Sequence, residues 1–461
     1  MTTWKPNLEA RPGPIYMAIV ASLAEDIAAG RLCEGVRLPT HRDLADALGV
    51  TVGTITRAYA EAQRRHLVAG EVGRGTFVRQ HSPLLPRQLN SLAAETGMTD
   101  LSLARPVAPL APDAFALALR EVAEQSDLRA LLDYQPDGGM PAHRSAIAEW
   151  VRPRGLSPDP DQVVLTCGAQ HALCATLAAL AHPDDTVLCE ALTYPGVKAA
   201  ADVLHLRLQG IATDEDGVIP ALFERACRAG AVRALYLIPT LQNPTSSVMP
   251  LERRQKIVEI ARSHDVILVE DDVYGFLAPD APPPIATLAP ERTVYLASFS
   301  KLVAGGLRVG YAVAPPGLAR RVAYGVHATA ILAAPVQVEL AVRLLRDGTA
   351  LRQMELQRSV AGDRQRLAAE RLAGLDFQAR PTGSIVWLSL PPPWQADAFA
   401  AQAREQGVLV SPAPLFHAGR GDAPAAVRIG LGGAGADRLD GALRLIAKLA
   451  RSTPEAAPRI V

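Results

Sequence analysis

The sequence predicts an α/β protein in two parts, a short helical zone closing in a β-prone hairpin and a long zone built on a sheet of buried parallel strands. Three observations carry that expectation. From residue 99 to about 450, short apolar runs alternate with Ala/Leu/Arg-rich helical stretches: VVLTCG from 163, DTVLCE from 185, RALYLIP from 233, VILVEDD from 266 and TVYLASFS from 293. Apolar runs of about four to six residues, bounded by polar turns and separated by helices, are the pattern of strands buried on both faces. Residues 14–79 instead hold short helical segments ending in a Gly-rich stretch. Between the zones, QHSPLLPRQLNSLAAETGM at 80–98 carries Pro83 and Pro86 and no sustained period, so it reads as a linker. The expected units are 1–80, a linker at 81–98, and 99–461.

Composition narrows the class. The 461 residues hold 47 basic and 47 acidic side chains, 49 % hydrophobic residues and 20 % charged ones. That much apolar material excludes a disordered chain, and zero net charge excludes a histone-like polycation, so any nucleic-acid contact must come from a local patch. Cys33, Cys167, Cys174, Cys189 and Cys227 are an odd set without a C-x-x-C pair, which argues against a disulfide framework and a structural zinc site. The N-terminal MTTWKPNLEARPGP lacks a signal peptide's apolar core, and no apolar run approaches about 20 residues. The expectation is a cytoplasmic protein with no membrane span and no metal.

In the first zone Ile15, Ile19, Leu23 and Ile27 recur every four residues and predict one apolar helix face. Thr40 with Asp43 predicts a helix start, with Leu44, Ala47 and Leu48 inward. Gly49 and Val50 make the turn, and Thr51 opens a third helix with Ile55, Tyr59 and Ala62 on one face. Two short helices joined by a tight turn describe a helix-turn-helix, whose second helix can enter a major groove about 12 Å wide. Small or hydroxylated residues at its start, Thr51, Gly53, Thr54 and Thr56, allow close approach, with Thr54 directed at the groove. Arg42, Arg57, Arg64 and Arg65 suit phosphates. LVAGEVGRGTFV reads as a two-stranded wing with Arg74 at its tip. Residues 1–80 hold 10 Lys/Arg against 8 Asp/Glu, an excess of only 2, so placement and pairing must supply affinity. Helix pattern alone fits a small packing domain equally well. The spelling adds more. GVRLPTHRDLADALGVTVGTITRAYAEAQRRHLVAGEVGRGTFV resembles the winged helix of GntR transcription factors, with Arg42, Arg57 and Arg74 on matching arginines. The family's usual Arg near the start of the recognition helix is replaced by Val52 and Gly53.

In the second zone Lys301 sits in SFSK at the end of a predicted strand, followed by Gly305, Gly306 and Arg308. A lysine that forms a Schiff base with an aldehyde must be held and kept partly uncharged, and strand ends of α/β sheets provide such places. Ser298, Ser300 and Arg308 suit a phosphate ester, as do backbone amides at Gly168, Ala169 and Gln170, where CGAQHAL leaves a strand and opens a helix. Asp271, at the end of VILV, has the position of a carboxylate for a pyridine nitrogen. Tyr274 and Asn243 offer groups to the ring oxygen, and Tyr194 a ring for stacking. Each alone also reads as an ordinary turn or core residue. Together and in this order they resemble a fold-type I aminotransferase from about residue 99 to the end. Matching positions are Tyr134 with Gly139, Gly168-Ala169-Gln170, Tyr194, Asn243-Pro244, Asp271 with Tyr274, Ser298-x-Ser300-Lys301, Arg308, and Arg428 in VRIGLG.

That resemblance implies a large, mostly parallel sheet domain with a smaller α+β subdomain mainly over about 345–461, and pyridoxal 5'-phosphate as cofactor, with Lys301 as the Schiff-base lysine. It also implies Asp271, Tyr274 and Asn243 on the ring, and phosphate on Ser298, Ser300, Arg308 and the 168–170 amides. Tyr134 reaches in from the partner of a homodimer, and Arg428 grips a substrate α-carboxylate. Ser246 stands where the family usually has Gly, and Gly305 where it often has Pro. A GntR winged helix fused to such a domain resembles MocR-type regulators. Two functions follow, and the motifs alone do not separate them. One is a DNA-binding regulator sensing pyridoxal phosphate or an amino compound through Lys301. The other is a working aminotransferase with an appended DNA reader. A DNA-binding protein with an empty enzyme fold is disfavoured by Lys301, Asp271, Arg308 and Arg428 together.

Overall fold

Thr40 shows how closely local chemistry is followed in the first unit. In the computed structural model its Oγ1 accepts from the Asp43 amide at 3.2 Å and donates to the Asp43 carboxylate at 2.7 Å, starting helix α2 (His41–Leu48). The structure describes residues 4–8, 14–29, 31–32, 36–64, 67–71, 75–78, 97–419 and 421–453. The chain forms two compact units, Met1–Pro86 and Arg87–Val461.

Helix α1 (Ile15–Ala28) buries Ile19, Val20 and Leu23, while Ile15 is exposed, against the four-residue expectation. A step of four residues overshoots a full turn by about 40°, so a stripe spaced by fours drifts off the buried face. In α2 the face against the third helix is Leu44, Ala45 and Leu48; Ala47, expected inward, lies exposed on the flank. Gly49 closes α2 in the left-handed region, at φ 66°, where glycine meets no Cβ penalty. Helix α3 (Val52–Arg64) follows, and its Ile55, Ala58, Tyr59 and Ala62 join the same core. Strands β1 (Val68–Glu71) and β2 (Gly75–Val78) form an antiparallel pair registering Val68 with Val78 and Glu71 with Gly75. Arg65, Arg74, Cys33 and residues 81–96 of the expected linker lie outside the described residues.

The second unit is organised by a seven-stranded sheet. Its strands are β3 (Val163–Thr166), β4 (Thr186–Glu190), β5 (Arg207–Ile211), β6 (Val232–Leu237), β7 (Ile267–Asp271), β8 (Thr293–Ser298) and β9 (Gly310–Val313), in spatial order β3-β9-β8-β7-β6-β4-β5. Only β9 runs against the rest, so the sheet is mostly parallel as expected. Alternate residues face opposite sides. Val187, Cys189, Tyr236 and Val269 pack under helices α4 (Ala169–Leu180) and α6 (Pro316–Ala330). Leu188, Leu235, Leu237 and Leu268 pack under α5 (Leu251–Ser263). Pyridoxal-site candidates sit at the carboxyl ends of these strands, where open α/β sheets place ligands.

A second, antiparallel sheet has the order β10 (Phe377–Gln378), β11 (Ile385–Ser389), β13 (Ala426–Gly430), β12 (Ser411–Pro412). Helices α7 (Thr349–Arg371) and α8 (Ala436–Ala450) share its core with Leu101 and Val107. The segment directly after the linker is therefore built into this smaller core. Thr99 and Asp100 pair in parallel with Val408 and Leu409, and Leu101 O accepts from Gly430 N at 2.7 Å. Among the described residues no helix is long and apolar enough to cross a membrane.

The N-cap at Thr40 gives a direct test. Thr40→Ala should cost the first unit about 1 kcal/mol. Native-state hydrogen exchange of the α2 amides should then quicken roughly fivefold, with the second unit's amides unchanged.

Candidate cofactor site and nucleic-acid interface

In the first unit Thr51 caps α3: the Thr54 amide donates to Thr51 Oγ1 at 3.2 Å, and the two hydroxyls lie 3.0 Å apart. Thr54 is half-buried in that cap, whereas Thr51, Val52, Gly53, Thr56 and Arg57 are exposed along the start of α3. Arg42, in the first turn of α2, is also exposed. The unit thus offers an exposed helix start without bulky side chains and two described arginines.

In the second unit the phosphate candidates converge. Gly168 caps α4 at φ 89° and ψ 168°, and a Cβ there would lie 2.7 Å from Arg308 Nη2. Glycine is needed here twice, for the backbone angle and for the guanidinium. Arg308 donates to Cys167 O at 3.2 Å and to Ser300 Oγ at 3.4 Å, and Ser298 Oγ accepts from the Ser300 amide at 3.4 Å. First-turn amides of a helix have no partner within it, so α4 presents donors to the same place. Gln170 turns its side chain away from this cradle, its Nε2 donating to Gly196 O at 2.9 Å.

Lys301 stands half-buried beyond β8, donating from Nζ to Ala104 O at 2.5 Å, with Nζ 5.9 Å from the Tyr274 ring centre. Burial, helped by the positive charge of Arg428 and opposed by Asp271, lowers its amine to about 8. Asp271 is buried; its Oδ2 accepts from Tyr236 Oη at 2.8 Å and its Oδ1 from the Val273 amide at 3.2 Å. Burial raises that carboxyl to about 6, against the opposing pull of those donors. Tyr194 is half-buried at the start of the helix Pro195–Val203, its phenol pushed up to about 12, first by burial. Its ring lies over Gly196, where a Cβ would meet it at 2.1 Å.

Arg428 crosses from the smaller sheet. Buried on β13, it donates to Asn243 Oδ1 at 2.8 Å and to Ser102 O, and lies 4.7 Å over the Phe416 ring. Its Nε has no partner, and burial lowers its pKa. Asn243 precedes a cis Pro244. Ser246, where the resembling family usually has Gly, adopts φ 62° and donates from Oγ to Ile385 O at 3.2 Å. One exposed residue stays apart: Tyr134 is 79 % exposed and is not brought to this site within the chain.

Residues 109–445 match the aminotransferase class I and II family. The chain belongs to that family. Residues 15–78 match the bacterial regulatory proteins, gntR family, so a GntR DNA-binding unit precedes the aminotransferase unit. The chain is similar to the HTH-type transcriptional regulator YdeF of Bacillus subtilis (strain 168), 29 % identical over 427 residues that span 93 % of this chain and 92 % of that one. It is also similar to the HTH-type pyridoxine biosynthesis transcriptional regulator PdxR of Corynebacterium glutamicum, 29 % identical over 318 residues that span 67 % of this chain and 68 % of that protein. Among solved structures, α-aminoadipate aminotransferase LysN of Thermus thermophilus, complexed with N-(5'-phosphopyridoxyl)-L-leucine, superposes with a TM-score of 0.71 at 26 % identity. The match covers 77 % of this chain and 93 % of that one.

Class I and II aminotransferases imply pyridoxal 5'-phosphate, and the residues fit it. The Gly168–Arg308 cradle with the α4 amides suits a dianionic phosphate, and a Cβ at 168 would run into the guanidinium that completes it. A buried carboxyl suits a ring nitrogen, and an amine brought down to about 8 suits an aldehyde. Sequence reasoning missed Tyr236 and the carbonyls of Ser102 and Ala104. Tyr236 sat in view within RALYLIP, but only the sheet register sets it beside Asp271. Backbone carbonyls leave no mark in a sequence.

The cradle predicts that Gly168→Ala displaces Arg308 and weakens pyridoxal phosphate binding more than tenfold, which corresponds to about 1.4 kcal/mol. Titration of the cofactor-free variant, followed by absorbance, measures this. A wild-type affinity would mean that Arg308 does not carry the phosphate.

Proposed function

We propose that the protein is a dimeric, cytoplasmic transcriptional regulator. Its aminotransferase unit binds pyridoxal phosphate and an amino compound and passes their presence to the GntR unit. The observation that carries this reading is the Gly168–Arg308 cradle and the Lys301 amine on the same chain as a DNA-binding unit. When bound, pyridoxal phosphate supplies an aldehyde that reacts with amines and a ring that withdraws electrons. Lys301 provides the amine that holds it. Asp271 faces the ring nitrogen, with Tyr274 and Asn243 on the ring oxygen and Tyr194 stacked on the ring. Ser298, Ser300, Arg308 and the 168–170 amides bind phosphate, and Arg428 binds the carboxylate of an amino compound.

Switching follows from what these cations touch. Lys301 Nζ donates to Ala104 O, and Arg428 Nη2 donates to Ser102 O. Both acceptors belong to the segment that leads from the linker. Committing Lys301 to the cofactor and Arg428 to a carboxylate withdraws donors from that segment, so the two states differ in its contacts. A ligand shifts a conformational population only through such a difference. Homodimerisation is supported by large apolar side chains left exposed on two helices that touch. Leu128, Leu132 and Tyr134 are exposed on and after a helix that packs on Pro335–Arg346, which itself exposes Val336. Tyr134 then serves the partner's phosphate. On DNA, Arg42, Arg57 and Arg74 take phosphates or groove edges, and Thr51 and Thr54 set the approach of α3.

Two measurements test the reading. Borohydride reduction of the yellow protein should leave a pyridoxyl mass on the peptide containing Lys301, and Lys301→Ala should abolish both that mass and any effect of the cofactor on DNA affinity. A protein that stays colourless with added pyridoxal phosphate would refute the site. On DNA from the upstream region of its own gene, Arg57→Ala should weaken binding and reduce the slope of log K against log salt by about one, leaving sequence preference unchanged. Rapid steady-state turnover of an amino acid by a protein showing no sequence-preferring DNA binding would favour the aminotransferase reading instead.

A further inference from the structure

The assignment of Asp271 to the cofactor's ring nitrogen leaves the question of what orients and charges that carboxyl, and the inference below rests on that assignment. Asp271 ends β7, and β6 runs parallel beside it with Tyr236 registered opposite Val269. Tyr236 is wholly buried, and its hydroxyl reaches two residues along β7 to donate to Asp271 Oδ2 at 2.8 Å. The other oxygen accepts from the Val273 amide at 3.2 Å. Each carboxylate oxygen is thus tied by one donor, and the side chain has one orientation. Phenylalanine would fill nearly the same space among the sheet's apolar residues. A buried hydroxyl is retained against its desolvation only when it is bonded, and a bond to a carboxylate is among the stronger ones.

We propose that Tyr236 is a positioning residue, whose hydroxyl fixes the rotamer of Asp271 and holds the negative charge on it for the pyridine nitrogen.

A second buried carboxyl lies close by in the same sheet. Glu190 ends β4, on the other side of β6, and accepts on Oε2 from the Ile238 amide and Gln242 Nε2, both at 3.2 Å. Burial raises Glu190 to about 8 and Asp271 to about 6, each against the opposing pull of its donors. The groups acting on Asp271 are the Tyr236 hydroxyl, the Val273 amide and the Lys301 ammonium, which favour its charge, and Asp272, which opposes it. The phenols of Tyr194 and Tyr274 are also nearby, and burial keeps both uncharged. Removing the Tyr236 hydroxyl therefore raises the Asp271 pKa, and the carboxyl becomes protonated at a higher pH.

The experiment is an infrared pH titration of the cofactor-free full-length protein, following the carbonyl stretch of protonated carboxyls, with Asp271→Asn identifying the Asp271 band. Tyr236→Phe should move that band's midpoint upward by about one pH unit. Difluorotyrosine at position 236, a more acidic donor of nearly the same shape, should move it downward, which covers the case in which Tyr236→Phe folds poorly. Midpoints unchanged in both proteins overturn the proposal. The ring-nitrogen assignment is tested separately: if Asp271→Asn leaves the absorbance titration of bound pyridoxal phosphate unchanged, that assignment fails whatever the infrared result.

Discussion

Lys301 and Arg428 are cations placed where burial works against their charge, and both rest on carbonyls of one short stretch of chain, Ala104 and Ser102. Much else depends on that arrangement. The stretch is held by the smaller sheet, through Leu101 and Gly430 on one side and through Gln357 on the other, whose Oε1 accepts from the Val107 and Ala108 amides. Gln357 also donates from Nε2 to the carbonyls of Lys301 and Leu302, so α7 ties the stretch to the lysine's own backbone. Close approach is enforced by glycines: a Cβ at Gly430, Gly432 or Gly433 would fall within 2.3 Å of carbonyl oxygens of Leu103, Arg105 or Asp100. The carbonyls that Lys301 and Arg428 hold therefore belong to a stretch of backbone fixed from several sides.

A catalyst and a sensor need the same parts up to this point. Both must hold a phosphate, orient a ring and present an amine brought near neutrality. A sensor additionally needs the occupied site to differ in its contacts with something that leads elsewhere, and in the proposed function the 102–104 carbonyls supply that difference. The GntR unit in turn has little net charge to bring to DNA, so in the proposed dimer the affinity depends on how two copies are presented. Coupling of this kind is reciprocal by thermodynamic necessity.

The legible and illegible parts of the sequence divide along physical lines. Five strands of the large sheet stood out because strands buried on both faces are continuously apolar. Strand β5 did not, since at the sheet edge Arg207 and Gln209 alternate with apolar residues. Strand β9 did not either, because GYAV is short and runs antiparallel between two strands distant in sequence. In the first unit the cap at Thr40 and the glycine turn were readable as local chemistry, whereas Ile15 and Ala47 show that which flank is covered depends on the neighbouring helix. Lys301, Asp271, Arg308 and Gly168 were legible through their motif order. Tyr236 was not, for its partner is 35 residues away and is supplied by strand register.

The claim on which the account turns is that occupancy of the pyridoxal site and binding to DNA are energetically coupled. The direct measurement is the dissociation constant of pyridoxal phosphate, and of each amine in a panel added to the loaded protein, with and without saturating DNA from the gene's own upstream region. The account predicts that DNA changes at least one of these constants roughly fivefold or more, and that the same ligand changes DNA affinity by the same factor. Constants that are equal with and without DNA for pyridoxal phosphate and every amine would contradict it.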